Sequence, residues 1–253
     1  MNTDEKNNVH KVYYDQIYQS HGIRDEDSFY RWILDLLQVQ KNKKILDVAC
    51  GHGILLRESI QRNLEAHGID ISQIACKKAK QIAPTSYVIS GNAEKLSYPS
   101  STFDYVACLG SIENMVNSEL ALQEIHRVLT VNGKACIVVP NRFWFGDIFQ
   151  IAFLGKDETP CFQPVEKVAS LQQWRKWISS RGFKILDTHR YNKPAKLFSR
   201  RFKLRSIRKF IYWNFINKLC PFSLSWSFVF ICQKSNDQTD TTEKKGVLWE
   251  AIS

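Results

Sequence analysis

Apolar and polar positions change their period several times along this chain, and each change marks an element. From about Val9 to Leu37 the pattern is helical, with Trp32, Ile33, Leu36 and Leu37 forming an apolar stripe near its end. The spacing then contracts to short apolar runs. Lys43 to Ala49 reads as a buried strand that ends at Cys50-Gly51-His52-Gly53, a tight turn into a helix. A second strand fits Ala66 to Ile71, and Ser72 is placed to cap a helix that runs to about Ala83, where Pro84 stops it. Tyr87 to Ser90 and Phe103 to Leu109 are the third and fourth strands. A helix from about Ser118 to Leu129, a turn at Asn132-Gly133 and a fifth strand from Lys134 to Val139 follow. Further on come a helix from Leu171 to Ser180, a stop at Gly182, a strand from Phe183 to Thr188 and a last strand around Trp226 to Cys232.

Strands alternating with helices at this spacing predict an α/β fold, a mostly parallel sheet of seven strands with helices on both faces. Ligands of such sheets bind beyond the carboxyl ends of the strands. The chain divides into a helical cover (1–42), a core (43–141), an insertion that forms a helical lid (142–169), a basic amphipathic segment (193–219) and a polar tail (235–253). Residues 1–234 form one domain.

Composition changes this picture in two places. The net charge of +10 is concentrated between Lys193 and Lys218, where Lys196, Arg200, Arg201, Lys203, Arg205, Arg208 and Lys209 meet no acid, so any basic partner-binding surface is local. The seven cysteines are scattered, with no C-x-x-C pair and no metal-ligand spacing, which predicts reduced, mostly buried thiols and no metal site. The polar start, MNTDEKNNVHK, lacks the apolar core of a signal peptide, and no apolar run is long enough to span a bilayer. These features predict a cytoplasmic protein, soluble or peripheral at the inner face of the membrane.

The chemistry concentrates in ILDVACGHG, Ile45 to Gly53. Gly51 and Gly53 allow a ligand close approach to the backbone, and the following helix presents its positive end. Asp47 beside that turn would repel a pyrophosphate but suits a ligand carrying an ammonium. Asp70, ending the second strand, can accept hydrogen bonds from ribose hydroxyls. The dinucleotide fingerprint G-x-G-x-x-G needs Gly where Leu56 stands, which argues against a nicotinamide or flavin enzyme.

ILDVACGHG, GIDIS, GNAEKLSYPSSTFDYV, LGSIENM and EIHRVLTVNGKACIVVPN, in this order, resemble the successive motifs of class I S-adenosylmethionine (SAM)-dependent methyltransferases, in particular the type 11 group. The resemblance is strong from Ile45 to Asn141 and weak elsewhere. It implies a Rossmann-like fold, SAM as cofactor and methyl transfer as activity. It also implies that Asp47, Ala49, Cys50, Gly51 and Gly53 line the methionine end of SAM and that Asp70 and Ile71 hold the ribose and flank the adenine. Asn92 and Ala93 would meet the adenine edge, although the family usually has Asp in place of Asn92, and Leu109 and Gly110 would face the methionine near the transfer point. Many relatives carry Glu-His where this chain has Glu113-Asn114, so a histidine base is missing there.

Methyl transfer from a sulfonium depends mainly on holding nucleophile and methyl in line. A hydroxyl acceptor would benefit from a base, for which His10, Tyr14 and Glu113 are the leading candidates and Tyr13 and His126 further ones. Glu113 equally suits orienting its loop, His126 sits on a helix expected to back the sheet, and Tyr14 and Tyr18 lie in the segment that folds over the cofactor in relatives. The insertion, NRFWFGDIFQIAFLG at its start, fits a lid helix, an apolar acceptor pocket or a membrane-facing edge. The basic segment interleaves its cations with Phe198, Phe202, Phe210, Trp213 and other apolar residues, as an interfacial helix does. An anionic membrane surface or lipid-linked substrate, RNA, and plain solvation of the charges are the three readings it leaves. The expected acceptor is a small molecule, a lipid or a lipid-linked glycan. An RNA or protein acceptor is the alternative, weakened by LGSI standing where an N-P-P-Y-type motif would mark amino methylation. A non-catalytic SAM-binding protein is disfavoured by the intact Asp47, Gly51, Gly53 and Asp70.

Overall fold

The computed structural model describes residues 2–20, 22–23, 26–155, 167–192 and 220–235. The core begins with β1 (Lys44–Val48), α3 (Ile54–Gln61), β2 (Glu65–Asp70), α4 (Gln73–Ile82) and β3 (Tyr87–Ser90), preceded by α1 (Thr3–Ser20) and α2 (Asp27–Leu37). It continues with β4 (Phe103–Leu109), α5 (Ser118–Val128), β5 (Leu129–Pro140), α6 (Phe145–Leu154), α7 (Leu171–Ser179), β6 (Phe183–Tyr191) and β7 (Ser227–Lys234). The seven strands form one sheet in the order β3-β2-β1-β4-β5-β7-β6. Neighbours from β3 to β5 are parallel, whereas β7 runs antiparallel to both β5 and β6. The chain moves outward from β1 in one direction through β2 and β3, then returns to pair β4 on the other side. That reversal opens a crevice at the carboxyl end of β1, where sheets of this kind bind ligands.

Alternation along the strands assigns each side chain to a face. Leu46, Val48, Val106, Cys108, Ala135, Ile137 and Val139 join a core with α5 and α7, including Leu122, Ile125, Trp174 and Ile178. The intervening residues Ile45, Tyr105, Ala107, Cys136 and Val138 meet Ile33, Leu34 and Leu37 of α2 and Leu55 and Leu56 of α3 on the opposite face. Strands covered on both sides read as continuous apolar runs, which is why KILDV and FDYVACL lack a polar alternation. Each fully buried aliphatic side chain contributes roughly 1.5–3 kcal/mol, so the central strands carry much of the fold's stability. Local signals agree: Ser72 accepts from Ala75 N–H to cap α4, and Ser170 with Gln173 forms a reciprocal capping box on α7.

The structure departs from the sequence reading at four elements. The expected helix from Val9 to Leu37 is two helices, with Gly22 at φ +70° between them. The expected turn at Asn132-Gly133 lies inside β5, whose pairing with β4 jumps from Phe103↔Leu129 to Tyr105↔Lys134. The strand absorbs the Asn-Gly pair as an irregularity because Leu129 and Lys134 both find partners on β4. The last two strands are also longer than their apolar runs, β6 reaching Tyr191 and β7 reaching Lys234. Backbone pairing between β6 and β7 holds polar residues that the periodicity left out.

Cys50, Cys76, Cys108, Cys136, Cys220 and Cys232 are free thiols, and all but Cys76 are buried. Among the described residues, no helix is long and apolar enough to cross a membrane. The insertion is helical over α6, and Phe143, Ile148 and Ile151 there are 49%, 39% and 52% exposed. Residues 193–219, which hold the basic amphipathic segment, and 236–253, which hold nearly all of the polar tail, lie outside the described residues, as do Cys161 and residues 156–166 of the insertion.

Candidate functional site

The turn after β1 is built from left-handed backbone. Ala49, Gly51 and Gly53 have φ of 61°, 51° and 76°. The two glycines answer to different neighbours. A Cβ on Gly51 would stand 2.6 Å from the Tyr18 hydroxyl, so its absence lets α1 close over the turn. A Cβ on Gly53 would stand 2.8 Å from the Ala79 backbone, so its absence lets α3 pack against α4.

Asp70 fixes the turn from the next strand. One carboxylate oxygen accepts from Gly51 N–H and the other from Ser72 N–H, both at 2.9 Å. Burial nevertheless pushes its pKa up to about 6, against the pull of those two N–H groups. Asp47 is buried too, at 4% exposure, and among the described residues no hydrogen bond reaches its carboxylate. Burial, reinforced by the charge of Asp70, raises its pKa well above the usual carboxylate range.

Both acids line a cavity of about 1100 Å³, its open mouth included, at the switch point of the sheet. Ala49, Cys50 and Gly51 line it from the β1 turn, Ile71 from the end of β2, Asn92 and Ala93 from the loop after β3, and Leu109 and Gly110 from the end of β4. Of the residues implied to hold the cofactor, Gly53 alone stays behind the wall. Gly110, at φ +67°, is nearly open around its Cα, with Glu113 Oε1 at 3.8 Å from the position of an added Cβ. Asn92 Oδ1 accepts from Glu94 N–H at 2.9 Å, which orients the amide and leaves its NH2 group turned away from that bond.

α1 roofs the cavity. Asn7, His10, Tyr14 and Tyr18, spaced three, four and four residues apart, form one helical face along it. The helix is anchored to α4: Asp15 accepts from Ser72 Oγ at 2.5 Å and from Ile74 N–H at 3.3 Å, and Lys78 Nζ donates to the Tyr18 carbonyl. Burial, followed by the nearby charge of Asp70, raises the Tyr18 phenol well above its ordinary pKa, so it stays protonated.

Of the leading candidate bases, His10 and Tyr14 face the cavity and Glu113 does not. Glu113 is buried behind Gly110, while the following Asn114 lines the cavity. His126 is remote, edge-on to Phe183 at 5.2 Å and packed under Gly182, with burial lowering its pKa. The structure adds Phe29, Tyr30, His52, Glu94, Met115 and Val116 to the wall. Asn7 of α1 also joins it, and it alone of these additions had a usable sequence signal, recurring at helical spacing with His10, Tyr14 and Tyr18. None of the described side chains of α6 lines the cavity.

The arrangement suits a nucleoside that carries a cation. Asp47 is a buried carboxyl group that no donor among the described residues reaches, so an incoming ammonium would be the partner that stabilises its ionised form, and each oxygen of Asp70 retains acceptor capacity for a ribose hydroxyl. Residues 46–137 match the model of the methyltransferase domain family. A demethylmenaquinone methyltransferase from Geobacillus stearothermophilus is 28% identical over 170 residues, spanning 60% of this chain and 73% of that protein. Among solved structures, the cyclase SpnF superposes with a TM-score of 0.60 at 18% identity, over 83% of this chain and 80% of that one. Phosphoethanolamine N-methyltransferase 2 of Haemonchus contortus, solved with SAM, superposes with a TM-score of 0.58 at 15% identity, over 90% and 57% of the two chains. Fold and site thus define a nucleoside-binding, doubly wound α/β enzyme domain. The chain carries a methyltransferase domain over residues 46–137, and methyl transfer with SAM as cofactor is the activity that this domain and its neighbours support.

Proposed function

We propose that this methyltransferase acts on a small, largely apolar acceptor with an ionisable ring hydroxyl, a hydroquinone or related phenol. The observation that carries the reading is the cavity wall beyond the cofactor turn. Tyr14, Phe29, Tyr30, Met115 and Val116 offer it ring faces and apolar surface, with His10 and Asn114 as polar groups among them. Such a wall binds a flat ring by contact and orients it by a few hydrogen bonds. The Geobacillus relative, whose name specifies a quinone, supports the same class.

SAM supplies a methyl group on a sulfonium, an electrophile that needs no further activation. The chain's residues do the positioning. Asp47 holds the ammonium, Asp70 the ribose hydroxyls, and Ile71 and Ala93 flank the adenine. Tyr14 and Tyr18 exclude water from above, and the loop from Leu109 to Val116 sets the acceptor in line with the methyl.

The reading extends to a lipid-soluble acceptor, or a lipid-linked glycan, taken up at an anionic membrane surface. The exposed Phe143 just before α6, Ile148 and Ile151 of α6, and the run of cations from Lys193 to Lys218 support it. The test is incubation with methyl-labelled SAM and 1,4-naphthohydroquinone under reducing conditions, beside RNA and protein extracts. Label in the extracted naphthol fraction is the expected result. Label confined to RNA or protein would overturn the acceptor class and favour a polymer substrate for the basic segment.

A further inference from the structure

We propose that His10 is the general base of this enzyme, taking the proton of the acceptor's ring hydroxyl, with Glu94 as the anion that stabilises the imidazolium so formed. The proposal rests on the acceptor class inferred above. His10 is only 6% exposed, yet its ring lines the cavity. It shares the inward face of α1 with Tyr18, whose hydroxyl marks the cofactor turn at Gly51. A helix rises about 1.5 Å per residue, so His10 stands roughly 12 Å along the axis from Tyr18. That displacement carries it away from the cofactor turn, and the charge of Glu94, which is bonded to the loop after β4 at Asn117, reaches it there.

The other candidate bases of the cavity are committed elsewhere or are weak. Asp47 and Asp70 serve the cofactor. The ring of His52 is wedged at the junction of α1 and α2, where a Cβ on Gly22 would fall 1.9 Å from its Cε1, and it packs edge-on to Tyr18 at 5.2 Å. Tyr14, edge-on to His10 at 6.3 Å, carries a phenol, which is a weak base at neutral pH.

The surroundings of His10 suit a base. Burial lowers its pKa and the charge of Glu94 partly restores it, so the imidazole is neutral at pH 7 and can accept a proton. Glu94 is held in place by Asn117 N–H, which donates to its Oε1 at 2.7 Å. The charged and titratable groups facing His10 are therefore Glu94 from the loop after β3 and Tyr14 from α1 itself. Lys167 and Glu119 stand behind Glu94, where Lys167 feels both acids, and Asp47 and Asp70 lie in the cofactor half. Asn114, from the loop after β4, is neutral.

The step balances without any further reactant. The hydroxyl proton moves to the free ring nitrogen of His10 as the phenolate, or the ring carbon it activates, forms a bond to the methyl carbon. The methyl–sulfur bond breaks, its electron pair stays on sulfur, and the sulfonium becomes a neutral thioether. If carbon is the nucleophile, the methylated ring carbon then loses its proton to solvent and the ring oxygen takes back the proton held by His10, which restores the aromatic hydroxyl.

The decisive experiment uses the full chain loaded with S-adenosylhomocysteine (SAH) and 4-nitrophenol as a spectroscopic acceptor analogue, titrated by absorbance. In the wild type, a base paired with the phenol lowers its apparent pKa by about one unit or more relative to water. In His10→Ala the shift is lost or reversed, while SAH affinity measured by calorimetry stays within about twofold, as the placement of His10 outside the cofactor half requires. With naphthohydroquinone, His10→Ala lowers kcat by roughly 10²–10⁴-fold, the usual contribution of a positioned base, and added imidazole restores part of it. Glu94→Gln moves the acid limb of the wild-type pH profile to lower pH. An equal nitrophenol shift in wild type and His10→Ala would overturn the assignment. Failure of nitrophenol and naphthohydroquinone to bind any variant would instead sink the acceptor class, and the base with it.

Discussion

The two halves of the cavity are made in different ways. The cofactor half is a backbone construction: three left-handed residues in five after β1, two strand-end acids, and Gly110 at the end of β4, all set by the parallel sheet. The acceptor half is a side-chain construction, assembled from α1, α2 and the loops after β3 and β4, which meet only in the folded chain. Changes in the first half should therefore abolish cofactor binding outright, whereas changes in the second should alter which acceptor is used and how fast.

The largest effect is expected at Asp70. Asp70→Ala removes the acceptor for the Gly51 and Ser72 N–H groups and, with it, the acceptor we propose for two ribose hydroxyls. Hydrogen bonds to a charged group are worth roughly 1.5–3 kcal/mol each, so SAH affinity should fall by at least about 100-fold in calorimetry. Wild-type affinity in a folded Asp70→Ala protein would break the ribose assignment.

Acid should separate binding from stability at the same residue. The folded pKa of Asp70 is raised to about 6, above the 3.8 it has when unperturbed. Its ionised form therefore costs stability above pH 6, and protonation relieves that cost as pH falls from about 6 to about 4. Asp47, raised for the same reason, acts in the same direction. Ribose hydroxyls bind the ionised carboxylate, so SAH affinity should weaken by roughly tenfold per pH unit below 6 in the range where this group alone titrates. Affinity that stays flat to pH 5 would mean that Asp70 does not meet the ligand as an anion.

Glycines at the β1 turn sharpen the contrast. Gly53→Ala combines a φ of +76° with a Cβ 2.8 Å from the Ala79 backbone, and neither helix can yield without losing its packing. A loss of roughly 2–4 kcal/mol is expected, read as a fall in denaturant midpoint. Gly110→Ala carries only the backbone strain, about 1 kcal/mol, since its surroundings are open. Equal losses at both positions would show that packing of α3 on α4 is not what Gly53 provides.

Much of the cofactor half was legible because it depends on local chemistry. A strand, a glycine turn and an acid at the next strand end are adjacent in sequence, and the backbone places them whatever the rest of the chain does. The supporting role of Asp70, holding Gly51 and Ser72, was not legible, because an acid's acceptors do not reveal which donors will reach it. The acceptor half was mostly invisible. His10 and Glu94 are separated by the first three strands, and nothing in either local sequence announces the other. Glu113 and Asn114 show the limit at finer scale: the sequence offers Glu113 as a candidate base and Asn114 as no base at all, yet a single turn of 3₁₀ helix over Ile112–Asn114 turns Asn114, not Glu113, to the cavity.

The smallest effect tests whether a side chain in the cofactor half behaves as part of the backbone construction. Asn92 stands where the resemblance to type 11 methyltransferases leads one to expect Asp, and its Oδ1 already accepts from Glu94 N–H. In Asn92→Asp one oxygen keeps that bond, and the other replaces the NH2 group with an acceptor for the adenine amino group. The gain is one exposed-edge hydrogen bond of about 1 kcal/mol, offset by a third carboxylate near Asp70 and Glu94. SAH affinity should therefore change by less than about fivefold, and the loop geometry should be unchanged. A loss of tenfold or more would show that the amide donates to the adenine ring here, so that this chain reads the base with the opposite hydrogen-bond polarity from that expected of Asp.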